Sequence, residues 1–500
     1  MTGGYAYTSV PELVDSAARR HGSQLALVTA DKSETFAELA RRVRAVAASL
    51  RAGGVAPGER LLLVCENSVE AVHGWLGCIQ AGAVPAAVNP ELTAAELRYL
   101  ATDLQPAAVL TDGQSLRAAH EIGCRTLQVA ELDAGNGALE APATDPLATA
   151  AIVYTSGTTS KPKGVQVRHA AYSETGRSFP GWIGLGEREC LWACLPLFHI
   201  NAQAYSLMTA LAHGFPMALS DRFHATTFWS DAGRLGATSV NLIGAMLAFL
   251  ERQPEDAWVD SRLRTIYAAP APVPDQRRRL EARFRVRITG GYGMSENTFG
   301  CAESPTSREK PGSVGRPRQP VSGAFVNELR IVRHDGSDAE GGEPGQLCFR
   351  NPVLTPGYWN AADVTARTIV DGWLRTGDLG YRDADGDVFL SGRSKEMIRR
   401  RGENIAPVEV EAALLEHPQV ESAAVFGIPS ADTEEEVVAA VVPRGGGLDE
   451  EALRSFAAER LARYKVPSVI VFRSSLPMTP TMRVAKELLR HEYLEGGGEA

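Results

Sequence analysis

Apolar residues recur at spacings of three and four along Phe36, Leu39, Val43, Val46 and Leu50, and Gly53–Gly54 follow them. That period predicts an α-helix with one face against a core, stopped by the glycines. Beyond it, short aliphatic or β-branched runs at Leu61–Val64, Ala107–Thr111, Ala150–Tyr154 and Val240–Ile243 read as buried strands. Strands alternating with helical patterns predict α/β layers around a largely parallel sheet. After about residue 325 the texture changes: Glu328–Val332, Gln346–Arg350 and Val388–Leu390 are separated by DG and GG turns, which predicts a mostly antiparallel β-rich region. From Lys395 a small α+β segment follows, with helices expected near Pro407–Glu416 and Glu450–Arg463.

Composition narrows the class. A chain of 500 residues exceeds what one core holds, since domains run to roughly 100–200 residues. With 44% hydrophobic and 22% charged residues it reads as globular, neither disordered nor fibrous. A formal charge of −9 leaves no surplus of cations for nucleic acid, and no basic tail for an anionic membrane. The last 106 residues carry 13 basic and 18 acidic side chains, more than half of the net charge. Leu191–Ser220 lacks Asp, Glu, Lys and Arg, but Pro196, His199, Asn201, Gln203, His213 and Pro216 interrupt it, so a buried strand, loop and helix are expected rather than a membrane span. The N-terminus shows no signal-peptide pattern. Seven scattered cysteines, with only Cys190 and Cys194 close together, read as small buried residues of a reduced, cytoplasmic protein.

The strongest chemical signal is Tyr154-Thr-Ser-Gly-Thr-Thr-Ser-Lys-Pro-Lys-Gly164, directly after a predicted strand. Successive Gly, Ser and Thr let backbone N–H groups and hydroxyls converge on phosphate oxygens, and Lys163 adds a mobile charge. The order of a Walker A loop is absent.

This run resembles the signature loop of the adenylate-forming superfamily, which includes acyl- and aryl-CoA ligases. Four further segments are similar to that family's motifs, in its order: Tyr292-Gly-Met-Ser-Glu296, Arg375-Thr-Gly-Asp-Leu379, Gly392-Arg-Ser-Lys-Glu396 with Gly402-Glu-Asn404 and Pro407-Val-Glu409, and Leu476-Pro-Met-Thr-Pro-Thr481 with Lys486. The resemblance implies a large N-terminal ATP- and acid-binding domain over 1–394 and a small mobile lid over 395–500, hinged at Lys395. It also implies a two-step reaction. A carboxylate attacks the α-phosphate of Mg-ATP, giving an acyl-adenylate and pyrophosphate, and a thiol, CoA above all, then takes the acyl group. Thr155, Ser156, Gly157, Thr158, Thr159 and Lys163 would hold the phosphates. Glu296 would ligate Mg2+, with Ser295 beside it. Asp378 and Arg393 would reach the ribose, and Ala269, Pro270 and Tyr292 would enclose adenine. Gly402 and Glu403 would lie on the thiol side.

For the acid, the resemblance makes His199 a gate and Asn201, Ile243, Gly244, Met246, Gly290 and Gly291 pocket residues, which suggests an apolar or aryl acid. With no carboxylate across Leu191–Ser220 an α-ammonium would be buried unpaired, so an amino acid is disfavoured.

Two positions depart from the family. Ser160 stands for a usual Gly, and Met482-Arg483 for the Gly-Lys whose lysine touches the reacting groups. Arg483 keeps the charge but not the compact geometry of an ammonium. Lys486, three residues on, reaches the same side only if the segment is helical. Arg483 performing the usual step gives a conventional CoA ligase. The alternatives are an ATP-dependent diazotase activating nitrite toward an aryl amine, an enzyme that loads a carrier protein, and a binding-only relative. Arg399-Arg400-Arg401 offers a contact for CoA phosphates or an acidic carrier protein, or simply a solvated face. The oligomeric state is left open.

Overall fold

The helix read from Phe36 runs Phe36–Ala52 and begins on a capping box: Thr35 accepts from the Glu38 N–H, and the Glu38 carboxylate accepts from the Thr35 N–H. In the computed structural model the described residues are 7–132, 139, 142–155, 162–305, 310–393, 396–400, 403–430, 434–479 and 484–496, without the side chains of Arg393, Glu403 and Asn404. They divide into two compact units, Met1–Leu329 with Phe349–Leu374, and Arg330–Cys348 with Arg375–Ala500. The division falls before residue 395, and the second unit also takes in part of the β-rich region.

In the first unit, a six-stranded sheet is ordered Thr126–Gln128, Ala108–Thr111, Arg60–Val64, Val84–Val88, Thr149–Thr155, Lys163–Arg168. Its pairs are parallel except the last. Residue alternation explains why these strands look apolar throughout. Leu61 and Leu63 enter the main core, while Leu62 and Val64 enter a second core with Leu97, Leu100 and Leu104 on the opposite face. A nine-stranded sheet is parallel from Arg287–Met294 through Thr265–Ala268, Ser239–Leu242, Leu191–Ala193 and Met217–Leu219 to Leu25–Val28. Asn297–Ala302 with Arg316–Pro317, and Ser33–Thr35 at the far end, extend it antiparallel. Both sheets and the helices Phe36–Ala52, Val69–Gln80 and His169–Ile183 share the main core. Five further strands form a separate sheet: Glu328–Val332, Gly345–Arg350, Ile369–Val370, Trp373–Arg382 and Val388–Arg393.

The charge-free stretch is strand Leu191–Ala193, a π-helical turn Asn201–Leu207 that continues as helix Met208–His213, and strand Met217–Leu219. Among the described residues no helix is long and apolar enough to cross a membrane. All seven cysteines are free thiols, six buried and Cys124 half-buried.

In the second unit, Glu434–Pro443 is the central strand, flanked by Val420–Ser430, Ile398–Arg400 and Val469–Phe472. Val437, Ala439 and Val441 pack with Val410, Leu414 and Leu453 on one face, and Val438 and Ala440 with Leu489 on the other. The helix expected over Glu450–Arg463 ends at Ala458, just past its last buried residue, Ala457.

Candidate active site

Thr155, the last residue of its strand, pairs with Lys163, the first of the next, so the hydroxyl-rich run joins two antiparallel strands. Ser156, Gly157, Thr158, Thr159 and Ser160 lie outside the described residues. Glu296 sits with Ser295 in the turn between Arg287–Met294 and Asn297–Ala302, where Met294 pairs with Asn297. The residue is 8% exposed. The Tyr358 hydroxyl donates to Glu296 Oε1 at 2.8 Å, and Lys163 Nζ lies 5.8 Å from the centroid of the Tyr358 ring. Burial first, and then the neighbouring carboxylate, holds the Tyr358 phenol far above its ordinary value, so it stays a donor.

Backbone contacts fix this line of groups. Gln166 N–H donates to Gly357 O at 3.1 Å, Trp359 N–H to Gly164 O at 2.7 Å, and Thr355 N–H to Glu296 O at 3.0 Å. At Gly164 a Cβ would stand 2.8 Å from Ile152 Cγ2, so the close approach needs glycine. A buried carboxylate and a phenol beside an ammonium offer oxygen to a hard divalent cation and positive charge to a polyphosphate. Tyr358 was missed in the sequence. Its signal is only a Pro-Gly-Tyr turn lying 62 positions from Glu296.

Around the expected acid pocket, Ala268 pairs with Gly290, and the following Ala269–Pro270 bond is cis. A Cβ on Gly244 would meet Pro270 O at an ordinary 3.6 Å. Gly290 N–H donates to Glu303 Oε2 at 2.7 Å. A Cβ on Gly291 would stand 2.4 Å from the Tyr267 hydroxyl and 2.7 Å from Arg318 Nη2. Tyr292 stacks on Phe349 with centroids 6.2 Å apart. His199 is half-buried with its ring 4.5 Å from that of Phe198. Asn201 opens the π-helical turn, its buried Oδ1 without a hydrogen-bond partner among the described residues. Ile243 leans on the main core and Met246 is part of it, which is ordinary packing for both.

In the second unit, Asp378 and Arg393 occupy facing positions on antiparallel strands. Asp378 is 7% exposed, and its N–H donates to Thr376 Oγ1 at 3.0 Å. Lys395, Gly402 and Arg483 lie outside the described residues, and Glu403 is placed only by its backbone, opposite Arg400. Arg400 turns into its own unit, 2.6 Å from Glu436 and bonded to the Tyr464 and Val466 carbonyls, so it is not part of a solvated basic face. Arg399 is exposed and pairs with Glu434 at 3.3 Å. Lys486 Nζ lies 2.7 Å from Glu411 and 3.4 Å from Glu396. Its helix, Lys486–Glu495, begins at the lysine itself, and Val484 bridges Met478. Among the described residues, then, helical spacing does not carry Lys486 back toward Arg483.

The family models for "AMP-binding enzyme" and "AMP-binding enzyme C-terminal domain" match residues 14–359 and 409–483. The chain belongs to the AMP-binding enzymes, the adenylate-forming acid–thiol ligases. It is 34% identical to sulfoacetate–CoA ligase of Cupriavidus necator over 91% of this chain and 92% of that protein. It is 31% identical to oxalate–CoA ligase of Arabidopsis thaliana over 97% and 98%. Among solved structures, o-succinylbenzoate CoA synthetase of Bacillus subtilis with its acyl-adenylate superposes with a TM-score of 0.87 at 28% identity, covering 97% of this chain and 99% of that one.

Proposed function

We propose that this protein adenylates a small carboxylic acid with ATP and passes the acyl group to CoA. The observation that carries the reading is the line Lys163–Tyr358–Glu296, which sets a cation and a buried carboxylate at the end of the hydroxyl-rich run. In the first step an acid oxygen bonds to the α-phosphorus and the bond to the pyrophosphate oxygen breaks. In the second, the CoA sulfur bonds to the acyl carbon and AMP leaves. Such transfers depend on positioning and charge neutralisation more than on covalent help.

Thr155, Ser156, Gly157, Thr158, Thr159 and Lys163 hold the departing pyrophosphate. Glu296, its carboxylate oriented by Tyr358, holds Mg2+; when bound, that ion neutralises phosphate charge. Asp378 and Arg393 take the ribose, Ala269, Pro270 and Tyr292 the adenine, and His199 the mouth of the acid pocket. Arg483 supplies the charge of the missing lysine, and the second unit pivots at Lys395. CoA as acceptor is supported by the relatives, both named as CoA ligases. Sulfoacetate and oxalate are short acids with a second anionic group, and the matches cover more than nine-tenths of this chain and of both enzymes.

The test is pyrophosphate release with ATP, Mg2+ and a panel of acids, followed by mass detection of the thioester with CoA. Release with an acid, and a thioester only when CoA is added, is the expected result. Release without any thioester would remove CoA, and none with any acid would remove the ligase reading.

A further inference from the structure

Arg318 is 3% exposed, and no carboxylate among the described residues pairs with it. Its guanidinium lies 4.9 Å from the ring centroid of Trp182 and 5.2 Å from those of Tyr205 and Tyr267. Nη1 donates to the Tyr205 hydroxyl at 3.0 Å and to Thr298 O at 3.3 Å, and Nη2 donates to the Tyr267 hydroxyl. Nε is buried with no hydrogen-bond partner among the described residues. Arginine keeps its charge at any ordinary pH, so among the described residues a full positive charge is enclosed by rings and neutral oxygens alone.

The donors in this spot outnumber the acceptors. The Tyr205 proton goes to Thr298 O at 2.8 Å. Tyr267 accepts from Arg318, and burial pushes its phenol up to about 12 while the guanidinium opposes, so its O–H survives at neutral pH. No acceptor for that O–H stands among the described residues. An Arg N–H and a phenol O–H without acceptors, next to an uncompensated charge, are the complement of an anion.

The position ties this donor pair to the acid. Gly291 has no Cβ, and one there would collide with both the Tyr267 hydroxyl and Arg318 Nη2. Gly290 and Gly291 are the strand residues expected to line the acid pocket, and Tyr205 lies one turn beyond Asn201 on the π-helical segment. Phe179 stacks on Tyr205 at 5.0 Å and meets Tyr267 edge-on at 5.4 Å, so aromatic rings hold the two hydroxyls beside the guanidinium behind the glycines.

We propose that Arg318, with Tyr267, recognises a second anionic group on the substrate, a carboxylate or a sulfonate, so that the acid activated is a short dianion. This rests on the ligase reading and specifies its substrate. The charge also excludes α-amino acids, whose ammonium it would repel.

The experiment compares oxalate, malonate, succinate and sulfoacetate with acetate, propionate and butyrate, reading pyrophosphate release and CoA thioester. At least one dianion should exceed its monoanionic counterpart in kcat/KM by about 100-fold or more. Malonate against sulfoacetate separates carboxylate from sulfonate. Arg318→Met should erase the preference mainly through KM, and Arg318→Lys should keep part of it. The comparison in the unsubstituted protein stands even if Arg318→Met does not fold. Monoanions used as well as dianions would overturn this inference and leave the ligase standing. Release with none of these seven but with an aryl or longer acid would overturn this inference alone, and release with no acid at all would overturn both.

Discussion

Tyr358 uses one side chain twice: the ring lies under Lys163 and the hydroxyl holds Glu296. Tyr358→Phe keeps the first contact and deletes the second. A hydrogen bond to a charged group contributes about 1.5–3 kcal/mol. The Mg2+ concentration for half-maximal pyrophosphate release should therefore rise about tenfold, since 1.4 kcal/mol is a factor of ten in affinity. An unshifted magnesium titration would mean that other groups orient the carboxylate. The same residue shows what a sequence hides. Glu296 stands out as a candidate because it sits in a run of motif residues, whereas Tyr358 and Arg318 are marked only by burial and by partners far off in the chain. Nothing local distinguishes Arg318 from the many arginines that face solvent.

At the scale of elements, legibility follows how completely each one is buried. Leu61–Val64 and Ala150–Tyr154 were readable to within a residue or so because both faces are covered, leaving an unbroken apolar run. The antiparallel partnership of Thr149–Thr155 with Lys163–Arg168 was not readable, since pairing is a relation between segments. Glu450–Ala458 was overextended because polar positions past Ala457 keep helical spacing without any core to meet. Helix starts carry a local signal of their own. Ser9, Thr35 and Thr93 each close a capping box with a glutamate three residues on. Thr35→Ala removes an acceptor from the first turn of the Phe36–Ala52 helix and should cost about 1 kcal/mol in denaturant unfolding. Kinetic constants should not move, because Thr35 lies on the edge strand Ser33–Thr35, far along the sheet order from Arg287–Met294. A loss below a few tenths of a kcal/mol would show that tertiary packing alone sets that helix.

For the whole molecule the open matter is how two reactions are shared between two units. The first unit carries Lys163, Tyr358, Glu296 and Arg318, and the second carries Asp378, Arg393 and Arg483. Glu411 and Glu396 engage the Lys486 ammonium, which favours Arg483 for the role of the missing lysine. Arg483 is then the cation left at the motif position, and its charge should matter for making the adenylate and not for consuming it. Arg483→Ala should lower pyrophosphate release by roughly 100- to 1000-fold, the scale for losing one donor to a developing charge. Arg483→Lys, which restores the usual ammonium, should recover most of it. Thioester formation from a chemically prepared acyl-adenylate and CoA bypasses the first step and should change far less in either variant. Equal losses in both half-reactions would instead show that the charge of Arg483 is not specific to making the adenylate.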